Sequence, residues 1–472
     1  MKVKLLNGNS KKELEKRMKI VASAGNLSRS EGTVTDVLRR NNDYEKNIKL
    51  ARAVVGYGHK SISEHDYITL ALEDVTPIVE QIIISYRLTS FTIKSRRNVD
   101  FRKVGFYVPD FYDKDNNILK NNNELKVTYK KYMQGLFNKY GTLVDEGYPV
   151  EDCRYILPYS FYSNIIMGCD ANEFLKITSD FLYGKQSNIT EIRNLGEKFK
   201  EIIEKYIPYL SKSLEKEKEN QYYEDKYTYL DDLTKNTKIS TEMDSVKLTN
   251  YTKDADEIVL VNILKVRYHI SYNEALNLLN ELRKKDKLID NKLMDSLLHS
   301  KNQRELEQIS YSFETPISLA VLTHITRHRM HSLLVPDFVP LWEMNRFKIP
   351  DSLKEKYSCD ITKIFEENEK MVNYFKEQGV RDEDLIYFYL SGNVCNISTT
   401  MNGKALEWIS RMRCCNKAQY EIRTIVKEMV RQVGEVSPLV AKVFGPTCQV
   451  LGYCSEGKDS CKNRGVVRKE VK

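Results

Sequence analysis

Two stretches of this chain alternate apolar and polar side chains, "HDYITLALEDV" (65–75) and "EQISYSFETP" (307–316), the pattern of a strand with one buried face. Each runs into an apolar segment, "TPIVEQIII" (76–84) or "PISLAVLTHI" (316–325), which predicts a short helix. An irregular segment comes next. Beyond it, "ELKVTYKKYMQGLFNKYGTLVDEG" (124–147) and "ALEWISRMRCCNKAQYEIRTIVKEMVRQV" (405–433) space apolar residues three and four apart, as amphipathic helices do. A short β-like start and a helical stretch precede each pattern, so the expected class is α+β with helices dominant.

The pattern occurs twice because the chain repeats. "VKLLN" (3–7) returns as "VKLTN" (246–250), and "GYPVEDCRYILPYSFYSNIIMGCDANEFL" parallels "GVRDEDLIYFYLSGNVCNISTTMNGKALEW" at one constant spacing: Gly147 with Gly379, Asn164 with Asn396, Asp170 with Asn402. Two diverged copies of one fold are expected. Between them "LEKEKENQYYEDKYTYLDDLTKNTK" is charged and lacks an apolar stripe, a linker or a solvated helix. The expected divisions are 1–212 for the first copy, 213–243 for the linker, 244–445 for the second copy and 446–472 for a cysteine-containing tail.

Charge and cysteines narrow the classes. The 74 basic and 66 acidic residues give +8, which permits an anionic ligand without demanding nucleic acid. No apolar run approaches the ~20 residues of a membrane span, and "MKVKLLNGNSKKELEKRMK" has no apolar signal core. A cytoplasmic protein with neither a nucleic-acid nor a membrane partner is expected. Nine cysteines, an odd number without a regular framework, predict reduced thiols. Cys448, Cys454 and Cys461 lack CxxC spacing and an obvious fourth ligand, so no metal is expected.

"THITRHRMHS" (323–332) holds three of the seven histidines and two arginines. Helical spacing would put His324, Arg327, His328 and His331 on one face. Such a face is a solvated surface with uncharged histidines, a metal site short of carboxylates and thiolates, or the seat of an anionic cofactor or nucleotide. Ser95 and Arg97 in "TIKSRR", side by side in an extended loop, would suit a phosphate, or form an ordinary basic loop. Arg413 admits a surface salt bridge, and His59 a structural histidine after a glycine. There is no P-loop and no GxGxxG, and Cys414 and Cys415 lack a paired base.

"RHRMHS" (327–332) resembles the signature of the flavin-dependent thymidylate synthases, in which RHR is followed by a spacer, a serine and an arginine two residues on. "GHKSISEH" (58–65) is similar to the family's GHxSxxEH, "CRYILP" (153–158) to ARxVLP, and "MRCCNKAQYEIR" (412–423) to LRxxxxAQxEIR. The tail "GPTCQVLGYCSEGKDSC" resembles the ending of many members. A member is about one copy long, so the chain resembles a tandem duplication, and helices packed on a small antiparallel sheet are implied for each copy.

The copies depart from the family in opposite ways. The first has Ser85 and Tyr86 where the second keeps Arg327 and His328. It retains Ser95 and Arg97, where the second has Asp337 and Val339. His59 and Arg154 face Asn302 and Ile386, whereas Asn402 and Arg413 face Asp170 and Phe181. Arg87/Arg329 and Ser90/Ser332 are shared, and the first copy has one extra residue between Glu64 and the signature. In the family, active sites lie between subunits of a homotetramer, so the resemblance implies a composite site shared by the copies, in a homodimer that mimics the tetramer.

The implied reaction is reductive methylation of dUMP to dTMP, with FAD as cofactor and NADPH and methylenetetrahydrofolate as co-substrates. The resemblance assigns Ser95 and Arg97 to the dUMP phosphate, Arg154 and Arg413 to the uracil, and Arg327 and His324 to substrate binding. Arg327, His328 and Arg329 would hold the flavin pyrophosphate, with His59 and Asn402 against its ring or ribose. Arg413, Arg327 and Arg154 are the expected catalytic groups. The alternatives are C5 modification of another pyrimidine nucleotide, or a noncatalytic protein that binds nucleotide or flavin.

Overall fold

The computed structural model describes residues 1–220, 229–235, 237 and 240–461. The first copy builds β1 (Lys2–Leu5), α1 (Lys11–Leu27), β2 (Tyr67–Val75), α2 (Pro77–Ile84), β3 (Ser90–Ile93), α3 (Asn122–Asp145), β4 (Ser163–Asp170), α4 (Ala171–Tyr183) and α5 (Thr190–Tyr206). The second repeats the series as β5 (Lys247–Tyr251), α6 (Ala255–Tyr268), β6 (Ser310–Ser318), α7 (Leu319–Thr326), β7 (Ser332–Leu334), α8 (Asp351–Glu377), β8 (Val394–Asn402), α9 (Gly403–Arg413) and α10 (Tyr420–Val436). The sheets run β1-β2-β4-β3 and β5-β6-β8-β7, antiparallel throughout. The expected α+β tandem architecture is the observed one.

Register repeats as well as order. Tyr67 lies opposite Asp170 as Ser310 lies opposite Asn402, and Ser90 opposite Gly168 as Ser332 opposite Thr400. Alternation drives the strands: Ile68, Leu70 and Leu72 of β2, and Tyr311 and Phe313 of β6, point into their cores. The first copy's extra residue is Asp74, which bulges from β2 at φ 57° where the register with β4 shifts between Glu73 and Val75. β6 pairs with β8 without a break. The bulge absorbs the insertion, so Tyr86 occupies the place of His328.

The chain forms two compact units, Met1–Ile239 with Phe338–Asn393, and Ser240–Asp337 with Val394–Lys472. Helix α8 therefore belongs to the core of the first unit although it lies in the second sequence copy. There Phe375 packs against Phe111 and Phe388 at 5.0 Å each, and Tyr132 Oη donates to Asn368 Oδ1 at 3.0 Å. Of the charged connection, Ser211–Asn220 and Tyr229–Thr234 are helical, while residues 221–228 lie outside the described residues.

Two local expectations need correction. Helix α7 ends at Thr326 with Arg327 as its C-cap, so His324, Arg327, His328 and His331 do not share a helical face. The chain turns at 327–331 to enter β7, which pairs with β8. The long amphipathic pattern at 405–433 breaks into α9, which ends at Arg413, and α10, which Gln419 opens as N-cap by accepting a hydrogen bond from Ile422 N–H at 3.2 Å.

A buried carboxyl joins sheet to helix in each copy. Glu191 accepts from Thr76 N–H at 3.0 Å and Thr76 Oγ1–H at 2.7 Å, and Glu421 accepts from Ser318 N–H at 2.8 Å. Burial pushes the Glu191 carboxyl up to about 7. The folded state then holds a proton that the unfolded state has released, so stability falls as pH rises from about 4.5 to about 7. Glu191→Gln, which keeps an acceptor for Thr76 without a charge, is expected to flatten this slope in urea-unfolding midpoints measured across that window; an unchanged slope would count against a buried, proton-holding Glu191.

Candidate active site

The second unit assembles the basic signature. His328 is buried at the end of α7, and its Nε2 accepts from Arg413 Nε at 3.1 Å. That bond fixes the imidazole as the neutral tautomer with its proton on Nδ1. Burial, then the Arg413 charge, presses His328 down to about 3, so it stays uncharged at neutral pH. His331 is held inside by Thr399 Oγ1 at 2.6 Å and the Ile325 carbonyl at 3.2 Å, and so anchors the turn that presents the signature. His324 is buried in α7, whereas Arg327 and Arg329 are exposed.

Arg413 stands in the last turn of α9, whose first residue follows Asn402. Asn402 Oδ1 caps the helix by accepting from Ala405 N–H at 2.8 Å, as Asp170 caps α4 through Glu173 N–H at 2.9 Å. The cap is thus inherited by both copies. Only Asn402 brings amide N–H donors to that end of the helix.

The first unit holds a cluster of guanidinium groups. Ser95 opens a turn instead of an extended loop: Val99 N–H donates to the Ser95 carbonyl at 3.2 Å, and Ser95 Oγ accepts from Arg97 N–H at 3.3 Å. Arg97 pairs with the Glu151 carboxylate, and Arg154 Nε donates to the Glu151 backbone carbonyl at 3.0 Å. Arg154 is only 2% exposed, and its Nη2 has no hydrogen-bond partner among the described residues. Burial, then the nearby Arg96 charge, lowers its pKa to about 10. Arg96 is buried against Glu80 at 2.8 Å and over the Phe161 ring at 5.3 Å. A buried guanidinium with an unmade hydrogen bond is costly unless a ligand completes it.

The place in the first copy that matches His328 and Arg413 is filled. Tyr86 and Phe181 meet edge to face with centroids 6.2 Å apart, and Tyr86 Oη–H donates to Asp180 at 2.8 Å. Both members of the basic pair have changed together into an aromatic pair with its own polar anchor. His59 lies elsewhere on that unit, exposed at the start of the turn Lys60–His65.

Ser95, Arg97 and Arg154 thus come together in one unit, and His324, Arg327, His328, Arg329, Asn402 and Arg413 belong to the other. Motif reading missed Glu151, which holds Arg97 and Arg154 together, and Arg96, which stands between Ser95 and Arg97 in the sequence. It also missed that Asp180 anchors Tyr86, a contact no spacing rule signals. Among the described residues no group of three or more His, Cys, Asp or Glu is arranged to hold a metal ion, and no helix is long and apolar enough to cross a membrane.

The family model described as "Thymidylate synthase complementing protein" matches residues 12–209 and again 247–439. A flavin-dependent thymidylate synthase of Saccharolobus solfataricus is 30% identical over 210 residues, 44% of this chain and 78% of that protein. One from Clostridium tetani is 28% identical over 255 residues, 48% of this chain and 95% of its own length. The solved structure of the UMP/dUMP methylase PolB from Streptomyces cacaoi, bound with 5-Br dUMP, is 22% identical and covers 45% of this chain and 93% of that one at a TM-score of 0.37. With the family model matched in both halves, this chain belongs to the flavin-dependent thymidylate synthases.

Proposed function

We propose that this chain is a cytoplasmic enzyme that methylates dUMP to dTMP at a site to which both copies contribute, working as a homodimer. The observation that carries this reading is Arg154, whose buried Nη2 waits for an acceptor beside Arg97 and Ser95. A nucleotide supplies phosphate oxygens for Ser95 and Arg97 and a uracil carbonyl for Arg154. Arg413, oriented by His328, would place positive charge beside the uracil carbonyls, where it stabilises the enolate-like anion that makes C5 a nucleophile. His324 and Arg327 line the substrate.

Exposed Arg327 and Arg329 fit the pyrophosphate of a dinucleotide, with neutral His328 beside them and the Asn402 amide and His59 for its ring or ribose. Bound FAD, reduced by NADPH, supplies the hydride, and methylenetetrahydrofolate the one-carbon unit. The division of these groups between copies supports one complete site per chain instead of two partial ones. Its counterpart is closed by Tyr86 and Phe181.

The purified chain, saturated with FAD and freed of excess, is expected to keep its flavin, to shift the visible bands when dUMP is added, and to form dTMP once NADPH and the folate are present. No retained flavin and no response to dUMP would leave a noncatalytic protein. A response to UMP but not to dUMP would move the substrate to the ribonucleotide.

A further inference from the structure

Arg96 sits between Ser95 and Arg97 in the sequence but deeper in the fold. Within the turn that Ser95 opens, Ser95 and Arg97 are half-buried, while Arg96 is 4% exposed and reaches inward to helix α2. There its Nη2 donates to Glu80 Oε2 at 2.8 Å, and its guanidinium lies over the Phe161 ring. Phe161 in turn meets Phe101 edge to face at 5.3 Å, so an ion pair and an aromatic cluster fix Arg96 from two directions. Glu80 is fully buried, and its Oε1 has no hydrogen-bond partner among the described residues.

A buried ion pair with an unmade hydrogen bond is a poor way to hold a core, because apolar side chains of similar volume stabilise as well or better. The second copy carries apolar residues instead. At the offset that aligns Tyr86 with His328, Glu80 and Arg96 are matched by Leu322 and Phe338, both buried. Ser95 and Arg97 are matched there by Asp337 and Val339. The ion pair therefore occurs only in the copy that keeps Ser95 and Arg97. Arg96 also acts on Arg154: after burial, its charge is the largest influence holding the Arg154 pKa down. Glu80 is the carboxylate that lets a second guanidinium stay buried beside Arg154.

We propose that the Glu80–Arg96 pair is the positioning element of the phosphate site: it pins the turn after β3, so that Ser95 Oγ and the Arg97 guanidinium are held in one place for the phosphate monoester of the nucleotide. This rests on the function proposed above. Glu80 and Arg96 act through Ser95 and Arg97, keeping those donors from rearranging when the anion arrives.

Exchanging both partners for apolar side chains, Glu80→Leu with Arg96→Met, removes the pair without stranding a charge in the core. In the flavin-loaded full-length chain this double variant is expected to melt no earlier than the parent and to keep kcat at saturation. Its Kd and KM for dUMP should rise on the order of tenfold or more. If the double variant does not fold, Arg96→Lys takes its place: an ammonium still pairs with Glu80 but lacks the planar fork over Phe161, and the same rise is expected. Parent-like affinity for dUMP in the folded variant would overturn the positioning assignment and leave the proposed function standing. So would a fall in kcat and melting temperature with KM unchanged, the mark of a pair that serves only the core. A parent chain that binds no dUMP would overturn both.

Discussion

Arg154→Met is expected to lower kcat/KM for dUMP by roughly two to three orders of magnitude, while leaving the chain as stable as its parent or more so. The two effects have one cause. A guanidinium buried to 2% exposure with Nη2 unbonded is held in the apo fold at a cost, since its desolvation is only partly offset by the bond to the Glu151 carbonyl. An apolar side chain of similar length removes that cost, about 1 to 3 kcal/mol, and raises the melting temperature by a few degrees. Nucleotide loses its fork of donors at the same time. Arg154→Lys does not rescue, because a single ammonium cannot replace two parallel N–H groups. Steady-state kinetics and thermal melts on the same preparations check both arms. A variant that keeps its activity but melts early would make Arg154 a structural group instead.

Arg413→Ala and Arg97→Ala carry the second large effect. Arg413→Ala is expected to lower kcat on the order of 100- to 1000-fold, and Arg97→Ala to weaken dUMP binding while sparing kcat at saturation. Although the residues lie in different copies, the double variant should lose less than the product of the two losses, because both act on one bound nucleotide. Two independent sites would behave otherwise. Each single variant would then retain about half of the parent's turnover. Full-length chains are the right material, because α8 of the second copy completes the core of the first unit.

Much of the fold was legible because its determinants are local. The alternation of β2 and β6 and the apolar runs of α2 and α7 survive in the sequence at most buried positions, with Glu80, Gln81, Thr323 and His324 among the exceptions. What escaped depends on contacts between distant residues. The signature was expected on one helical face, but pairing of β7 with β8 pulls the chain into a turn after Thr326, and His331 holds it there through Thr399. The run at 405–433 satisfies helical periodicity across a break between the end of α9 at Arg413 and the Gln419 cap that opens α10. Arg96 and Glu151 look like ordinary charged residues until Glu80 and Arg154 are placed beside them.

The residues of the proposed site are singled out by their motifs, and the opposite losses in the two copies are visible in the sequence. Less visible was how the losses are accommodated. Tyr86, Phe181 and Asp180 form one interlocked group, so the first copy's vacated pair was replaced by packing instead of being left hollow. The Asp74 bulge keeps that comparison in register: with the insertion confined to the strand, the alignment of Tyr86 with His328 holds without adjustment.

The proposal of a shared site is tested most directly by counting bound dUMP in titration calorimetry of the flavin-loaded full-length chain, its Arg97→Ala variant and its Arg413→Ala variant. One dUMP per chain in the parent, with binding lost or severely weakened in both variants, is the expected result. Two dUMP per chain in the parent, or a variant that keeps half of the parent's sites at unchanged affinity, would show that each copy binds nucleotide on its own.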